Sequence, residues 1–386
     1  FAEKLAHQPV LLDELIDASS LFNPPDAQAL SNELRQQLMR IPEDDIEQLM
    51  EALRYFRNAH ILRVAAADIT GALPLMKVSD YLTWLAEAIL QAVLEIAWRD
   101  MTTKYGTPQR SAGVPCDQDF VIIGFGKLGG IELSYGSDLD LVFVHDAPSN
   151  LMTAGGNKEI ANDVFFTRLG QRIIHILNTF TTSGQLYEVD MRLRPSGNSG
   201  LLVSSLNAFE AYQLNEAWTW EHQALVRARV VAGSSRLKAE FEAVRAKVLC
   251  KDREAESLRE EVIAMRQKMR DHLGTAEGSE AFNIKQDAGG IVDIEFAVQY
   301  LVLRYAKETA ALYKFTDNVR IIEALADAGY LDQTQAEVLS ESYKTYRALG
   351  HRQTLQNAKG LISSAELIDL RQSVKDVWQS IFKQST

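Results

Sequence analysis

The chain has 386 residues, 46% of them hydrophobic, which is enough to build the cores of two or three domains. Its formal net charge of −12 argues against non-specific binding to nucleic acid, because that activity needs a basic face. No apolar run approaches the 18 residues of a membrane-spanning helix, and Cys116 and Cys250 lack metal-ligand spacing. We therefore expect a cytoplasmic protein without disulfides, and a fragment of a longer one, because it begins at Phe1 without an initiator Met.

Residues 1–105 show the pattern of a helical region. Apolar residues recur there at spacings of three and four in NPPDAQALSNELRQQLMR, in the long run that follows, and again up to the glycine at position 106. This spacing gives each helix one apolar face. We predict an amino-terminal helical region that forms a core of its own.

A glycine-rich segment, VIIGFGKLGG, opens the middle of the chain. Gly124, Gly126 and Gly129 spell GxGxxG after an apolar run, which formally matches the dinucleotide-binding fingerprint. That fold needs a full crossover helix before the next strand, and residues 127–135 can form only a short one. Lys127 is not followed by Ser or Thr, which excludes a Walker loop. We interpret the segment as a turn whose backbone cradles phosphate.

The segment SDLDLVFVHD, residues 137–146, follows this turn. Asp138 and Asp140 lie two residues apart at the mouth of an apolar run, and residues at that spacing in a strand face the same way. Two carboxylates held side by side repel unless a cation or a shared proton intervenes. The pair predicts a Mg²⁺ site; the alternative is a strand that starts in solvent with two exposed acids.

A third carboxylate is usual where two metals serve phosphoryl or nucleotidyl transfer. The segment YEVDMRLRP, residues 187–195, alternates apolar and charged residues and is predicted to be a strand. Its polar face would offer Asp190 to a metal and the guanidinium groups of Arg192 and Arg194 to phosphates. A solvated face with surface ion pairs is the alternative for this strand.

The remaining segments complete the predicted organisation. A helix around residues 162–179 separates the two acidic strands, and residues 106–235 form one catalytic domain of mixed strands and helices. In WTWEH, residues 218–222, the aromatic side chains are interpreted as packing the domain. From residue 236 to residue 386 the pattern is again helical, which predicts a carboxy-terminal helical bundle. The glycines of QDAGGIVDIEF fit a turn at the start of a helix, and we assign that segment no catalytic role.

Three segments together carry a family resemblance: GFGKLGGIELSYGSDLDLVF, VDMRLRPSGNSG and EAWTWEHQALVRARVVAG. The chain resembles the glutamine synthetase adenylyltransferase family, within the nucleotidyltransferase superfold of DNA polymerase β type. The likeness continues in FAEKLAHQPVLLDELID, MKVSDYLTWLAEAIL and NIKQDAGGIVDIEFAVQYLVLRYA, so it covers most of the chain. It implies an α+β fold, with a polymerase-β-like domain of mixed sheet and helices flanked by helical domains.

Members of that family have two homologous halves. The amino-terminal half removes AMP from glutamine synthetase and the carboxy-terminal half attaches it. WTWEHQALVRARVV and LRPSGNSG make this chain more similar to the second half, which implies transfer of AMP from ATP to a tyrosine of glutamine synthetase and regulation of nitrogen assimilation. The PII signal protein is an implied partner and glutamine a possible effector.

The resemblance also gives the candidate residues roles. Asp138 and Asp140 would ligate two Mg²⁺ ions on the ATP triphosphate. Asp190 would serve the metal that binds the incoming hydroxyl and would be placed to take the proton of that hydroxyl. The nucleotide-binding candidates are Gly124, Gly126 and Gly129 through their backbone, Ser137 through its hydroxyl, and Lys127, Arg192 and Arg194 through their charge.

Three other functions stay open. The homologous AMP-removing half and a uridylyltransferase acting on PII would share the three carboxylates. A non-catalytic module that senses PII or glutamine is a third alternative. The complete set of three carboxylates argues against it, because a site without activity would be free to lose one of these acids.

Overall fold

The structure, a computed structural model, describes residues 24–276, 278–356, 358 and 360–383. The segment FAEKLAHQPVLLDELID, part of the resemblance, lies outside them. The chain divides into two compact units, Phe1–Glu216 with Ala228–Val244, and Ala217–Arg227 with Arg245–Thr386. The boundaries predicted at residues 105 and 235 stay predictions. No described helix combines the length and apolarity needed to cross a membrane.

Within the described residues, the first unit opens with α1 (Ala27–Leu38), α2 (Ile46–Ile69) and α3 (Leu75–Tyr105). The side chains of Asp26 and Asp45 accept hydrogen bonds from the first turns of α1 and α2, which satisfies amide groups that have no partner within the helix. Most residues of α3 are buried along its length. The helical pattern predicted for residues 1–105 is confirmed for residues 24–105, the part of that region that the structure describes.

The strands of this unit, in chain order, are β1 (Gly106–Thr107), β2 (Gln109–Ser111), β3 (Val114–Pro115), β4 (Phe120–Gly124), β5 (Leu139–His145), β6 (Ala154–Gly155), β7 (Val189–Asp190), β8 (Val203–Ser205) and β9 (Arg229–Gly233). Five of them form one mixed sheet in the order β7-β5-β4-β9, with β8 also paired to β5. β5 runs antiparallel to β4 and parallel to β7 and β8. The predicted mixture of sheet and helices is confirmed.

The sheet is covered by α5 (Asn162–Asn178), which lies in sequence between β5 and β7 as predicted. Phe166 of this helix stacks on Phe120 with ring centroids 6.1 Å apart. A Cβ on Gly170 would lie 2.8 Å from a methyl carbon of Val203, so helix and sheet are in close contact there. The core therefore lies between α5 and the buried faces of β4 and β5.

Between β4 and β5 the chain forms α4 (Gly126–Gly129), a helix of four residues. The prediction that this connection holds only a short helix is confirmed. This short connection joins β4 and β5 as antiparallel neighbours. Antiparallel pairing is incompatible with the parallel crossover of a dinucleotide-binding unit. The glycine motif therefore belongs to a different kind of site.

The strand predicted over residues 187–195 is wrong except at Val189 and Asp190, which form β7. The backbone amide of Arg192 donates to the Asp190 carboxylate at 2.8 Å, which turns the chain. Ser196 and Gly197 then adopt φ values of 60° and 55°, in the left-handed region. The chain from residue 191 to residue 200 is thus a compact loop instead of a strand.

After α6 (Leu206–Asn215), the second unit contains α7 (Thr219–Val226), the last part of α8 (Ser235–Leu249), α9 (Ala255–Leu273), α10 (Ile291–Tyr305), α11 (Asn318–Asp327), α12 (Gln333–Leu355) and α13 (Ile368–Ile381). The short strands β10 (Ala281–Asn283) and β11 (Leu361–Ser363) pair antiparallel. α10 is buried along most of its length, and it begins directly after Gly290, as the interpretation of QDAGGIVDIEF required. The predominantly helical pattern of this region is confirmed.

Candidate functional site

Three carboxylates meet at the edge of the sheet. The parallel pairing of β5 with β7 sets Asp140 opposite Asp190, and Asp138 directly precedes β5. One carboxylate oxygen from each of Asp138, Asp140 and Asp190 lies within 4.8 Å of the other two. The structure thus brings together the three acids that the sequence singled out, although Asp190 lies fifty residues beyond Asp140 in the chain.

The donor set of this cluster suits a hard divalent cation. Asp138 is exposed, while Asp140 and Asp190 are partly buried. Mg²⁺ prefers carboxylate oxygens among protein ligands, and three like charges this close repel one another unless positive charge lies nearby. The residues present therefore fit a magnesium site.

Gly126 is pressed against this cluster. Its φ of +55° lies in the left-handed region, and a Cβ at this position would lie 2.5 Å from Oδ2 of Asp140. The amide of Phe125 donates to the Asp140 carbonyl oxygen at 2.9 Å. Gly124 is confined as well, since a Cβ there would lie 2.8 Å from the Leu128 side chain. The glycine turn and the acidic strand therefore form one continuous site.

Lys127 lies on α4 and points its amine at two serines. Its Nζ is 3.4 Å from the hydroxyl oxygens of both Ser134 and Ser137. Those hydroxyls are 2.8 Å apart, and the Ser134 amide donates to the Ser137 hydroxyl at 3.1 Å. Because Ser137 directly precedes Asp138, the amine and the hydroxyls lie beside the carboxylate cluster.

Arg192 contacts the cluster directly. Its guanidinium forms an ion pair with Asp190, with Nε 2.7 Å from Oδ2, and is largely exposed. This side-chain hydrogen bond is the main reason that the pKa of Asp190 lies below its ordinary value, and it outweighs the opposing effect of burial. Asp190 is therefore ionised at neutral pH.

Arg194 holds the loop that follows. Its guanidinium donates to the carbonyl oxygens of Met191 at 2.9 Å and Asn198 at 3.1 Å. These bonds close the loop on itself. In this structure Arg194 therefore stabilises the loop beside the site.

Sequence reasoning missed the residues that hold the segment leading to Asp190. Arg54 of α2 is 1% exposed and donates to carbonyl oxygens of Ile176 at 3.0 Å and Gly184 at 2.8 Å. Arg57 lies over the ring of buried Tyr187, 4.4 Å from its centroid. The sequence signal that could have found Arg54 is its place on the apolar face of a predicted helix. A buried charge there would be costly without hydrogen-bond partners.

The interpretation of WTWEH as core packing is wrong for its tryptophans. Trp218 is 71% exposed and Trp220 is 37% exposed. α7 starts at Thr219, and the Glu221 carboxylate accepts the Trp218 amide at 2.9 Å, so the chain turns with its indoles outward while Glu221 and His222 are buried. The tryptophans line a cavity of about 660 Å³ within the second unit.

Comparison with known proteins gives two family-model matches. The family model described as glutamate-ammonia ligase adenylyltransferase matches residues 1–244. A second model, described as GlnD PII-uridylyltransferase, matches residues 240–378. The two matches together span both compact units.

Individual relatives are similar over nearly the whole chain. Those from Pseudomonas aeruginosa and Pseudomonas syringae pv. tomato are 57% and 58% identical over 98% of it, and that from Pasteurella multocida is 49% identical over all of it. Each is named bifunctional glutamine synthetase adenylyltransferase/adenylyl-removing enzyme. The chain covers only 39–40% of each relative's length.

By these names, the relatives are enzymes that transfer nucleotidyl groups. The chain belongs to the glutamate-ammonia ligase adenylyltransferase family.

Proposed function

We propose that this chain transfers AMP from ATP to a tyrosine hydroxyl of glutamine synthetase and thereby lowers its activity. The observation that carries the proposal is the meeting of Asp138, Asp140 and Asp190 beside a glycine turn. The relatives' names supply the substrate protein. We further propose that residues 106–235 form a nucleotidyltransferase domain of DNA polymerase β type, because the mixed sheet sets Asp140 and Asp190 opposite each other on adjacent parallel strands.

Asp138, Asp140 and Asp190 are the residues that would hold Mg²⁺. When bound, the metal would offset the negative charge of the triphosphate and lower the pKa of a coordinated oxygen. The depressed pKa of Asp190 supports its role as a ligand, because it keeps the carboxylate ionised at neutral pH. The same depression makes Asp190 a weak proton acceptor on its own.

The residues around the cluster would bind the triphosphate. Gly126 lets the backbone of α4 approach without a side chain in between, and Lys127 brings positive charge beside the hydroxyl of Ser137. Arg192 is exposed and already lies against the cluster, where it would meet a bound nucleotide. These groups would fix the nucleotide with its α-phosphorus near the carboxylates.

The acceptor is a phenol with an ordinary pKa of about 10, so its oxygen must pass its proton to solvent before it attacks. Attack at the α-phosphorus forms the bond from tyrosine oxygen to phosphorus and breaks the bond to pyrophosphate, which leaves. Positive groups at the site stabilise the charge that develops on the phosphate oxygens. The chain's own contribution is therefore orientation and electrostatic stabilisation.

We place the contacts with PII and glutamine in the helical regions that flank the catalytic domain. The match of residues 240–378 to a PII-uridylyltransferase model supports this for the second unit. The same match favours a second candidate function, uridylylation of PII. Removal of AMP from modified glutamine synthetase is a third, since the relatives' names include it.

A crossed labelling experiment separates these candidates. The chain is incubated with Mg²⁺ and either α-labelled ATP or α-labelled UTP, in the presence of unmodified glutamine synthetase or PII, and the label on each protein is counted. We expect label only from ATP and only on glutamine synthetase. A parallel incubation with adenylylated glutamine synthetase measures loss of AMP.

The variant Asp138→Asn should abolish the transfer, and Asp117→Asn, at an exposed position outside the cluster, should leave it unchanged. No transfer by the unmodified chain, or undiminished transfer by Asp138→Asn, would refute the proposal. Label on PII from UTP would favour the second candidate.

A further inference from the structure

The turn after α4 has a strained backbone. Ile131 has a φ of +56°, in the left-handed region that β-branched residues rarely adopt. The Ile131 amide donates to the carbonyl oxygen of Leu128 at 3.3 Å. The Glu132 amide donates to the carbonyl oxygen of Lys127 at 2.8 Å. Such a conformation persists only where neighbouring contacts fix it. The turn therefore needs support from outside its own segment.

Arg229, the first residue of β9, contacts the same turn. Its Nε donates to the Gly129 carbonyl oxygen at 3.0 Å, and its Nη2 donates to that of Leu128 at 3.3 Å. These carbonyls lie at the end of α4, and that of Leu128 also accepts the Ile131 amide. A guanidinium can serve both at once because its donors are held in one plane.

Helix α3 in turn fixes this guanidinium. Glu87 forms an ion pair with Arg229, and both side chains are largely buried. One helical turn further on, Oε1 of Gln91 accepts the Gly233 amide at 2.9 Å. α3 thus contacts both ends of β9, and through Arg229 it reaches the glycine turn.

From these contacts we propose that Arg229, oriented by Glu87, is a positioning residue for the glycine turn. Gly126 lies on α4 against Asp140, so a shift of α4 would move the backbone that faces the triphosphate. The identity of that ligand rests on the proposed function. The contacts of Arg229 and the backbone strain at Ile131 are independent of the proposed function.

Hydrogen exchange tests the positioning without any assay of activity. Arg229→Met keeps an apolar side chain of similar length but removes the donors, and Glu87→Gln is a milder change that keeps Arg229. We expect the amides of residues 124–135 to exchange about fivefold faster in both variants. Arg236→Lys is the matched control, because Arg236 pairs with Asp119 next to the other end of β4. Unchanged exchange in Glu87→Gln and in a folded Arg229→Met would overturn the proposal.

Kinetics distinguish positioning from a purely structural role. In Arg229→Lys we expect the KM for ATP to rise about tenfold while kcat stays within about threefold, because a displaced turn weakens nucleotide binding. Loss of folded protein would instead lower kcat and leave KM unchanged. Ile131→Gly in the same background should recover part of the KM, since glycine adopts this φ without strain.

An unchanged KM in an active Arg229→Lys would overturn the proposal. If the unmodified chain transfers no AMP, the proposed function fails, while the exchange experiment still decides the role of Arg229.

Discussion

A Cβ atom on Gly126 would lie 2.5 Å from Oδ2 of Asp140, closer than any real contact of this kind. The backbone that would face the triphosphate and the carboxylate that would bind the metal therefore touch, with only a hydrogen atom on the glycine between them. An alanine at this position would have to displace either the turn or the carboxylate. The acidic cluster and the glycine turn thus depend on each other.

Gly126→Ala should reduce AMP transfer by about 100-fold, the loss expected when a reacting group is displaced by about 1 Å. The measurement is the initial rate of label transfer. Gly71→Ala is the matched control, because Gly71 also has a left-handed φ, of +74°, but a Cβ there would meet nothing within 4 Å. Both variants should lose roughly 1–2 kcal/mol of stability. Equal activities of the two would contradict the account.

Arg54→Met should destabilise the first unit by about 3 kcal/mol, because it leaves several carbonyl oxygens near the end of α5 without a donor. Urea unfolding followed by circular dichroism measures the change. Arg35→Met, at an exposed position on α1, should change stability by less than about 0.5 kcal/mol. A loss no larger in Arg54→Met than in Arg35→Met would show that the buried guanidinium is not needed there.

Asp119 should make the first unit sensitive to acid. Burial raises the pKa of this carboxyl, but hydrogen bonds from Arg110 and Arg236 outweigh burial and hold the pKa below its ordinary value. A depressed pKa contributes stability above the unfolded-state value of about 4, and that stability is lost as the pH falls through the folded-state value. Asp119→Asn should therefore cost about 3 kcal/mol at pH 7.

The free energies of unfolding of the Asp119→Asn variant and of the unmodified chain should converge as the pH falls below about 4. Asp117→Asn, two residues away and exposed, serves as the control and should show no such convergence. A cost for Asp119→Asn that is the same at pH 7 and at pH 3 would show that the ion pairs contribute nothing to the pH dependence.

Cys116 should resist alkylation in the folded protein. Burial, with the neighbouring Asp119 carboxylate, raises the pKa of its thiol to about 12, and the thiolate is the reactive form. At pH 8 iodoacetamide should modify Cys116 only after unfolding, as mapped by mass spectrometry of its peptide. The less buried Cys250 serves as the internal comparison. Rapid native labelling of Cys116 would contradict the buried environment.

Sequence reasoning located the acids because their residue types and spacing are local properties. Asp138 and Asp140 precede and enter an apolar run, and the short stretch after Gly126 left no room for a crossover helix. The pairing of Asp140 with Asp190 is a matter of strand register across fifty residues. Pattern alone suggested that Asp190 was the third acid, but it could not show that pairing.

The predictions that were wrong have physical causes that the alternation of apolar and polar residues in the sequence does not reveal. The strand through Asp190 stops because its own carboxylate binds the amide of Arg192. Trp218 is exposed because α7 starts directly after it. Arg229 was overlooked because its partners on the glycine turn lie about a hundred residues earlier in the chain.

Binding of Mn²⁺, a spectroscopic substitute for Mg²⁺, tests the proposed metal site most directly. Free Mn²⁺ is titrated by electron paramagnetic resonance in the presence of ATP, with the unmodified chain, with Asp140→Asn and with Asp117→Asn as control. We predict that the unmodified chain and Asp117→Asn bind the ion equally and that Asp140→Asn loses at least about tenfold in affinity. Equal binding by all three proteins would contradict the claim that Asp138, Asp140 and Asp190 hold a metal together.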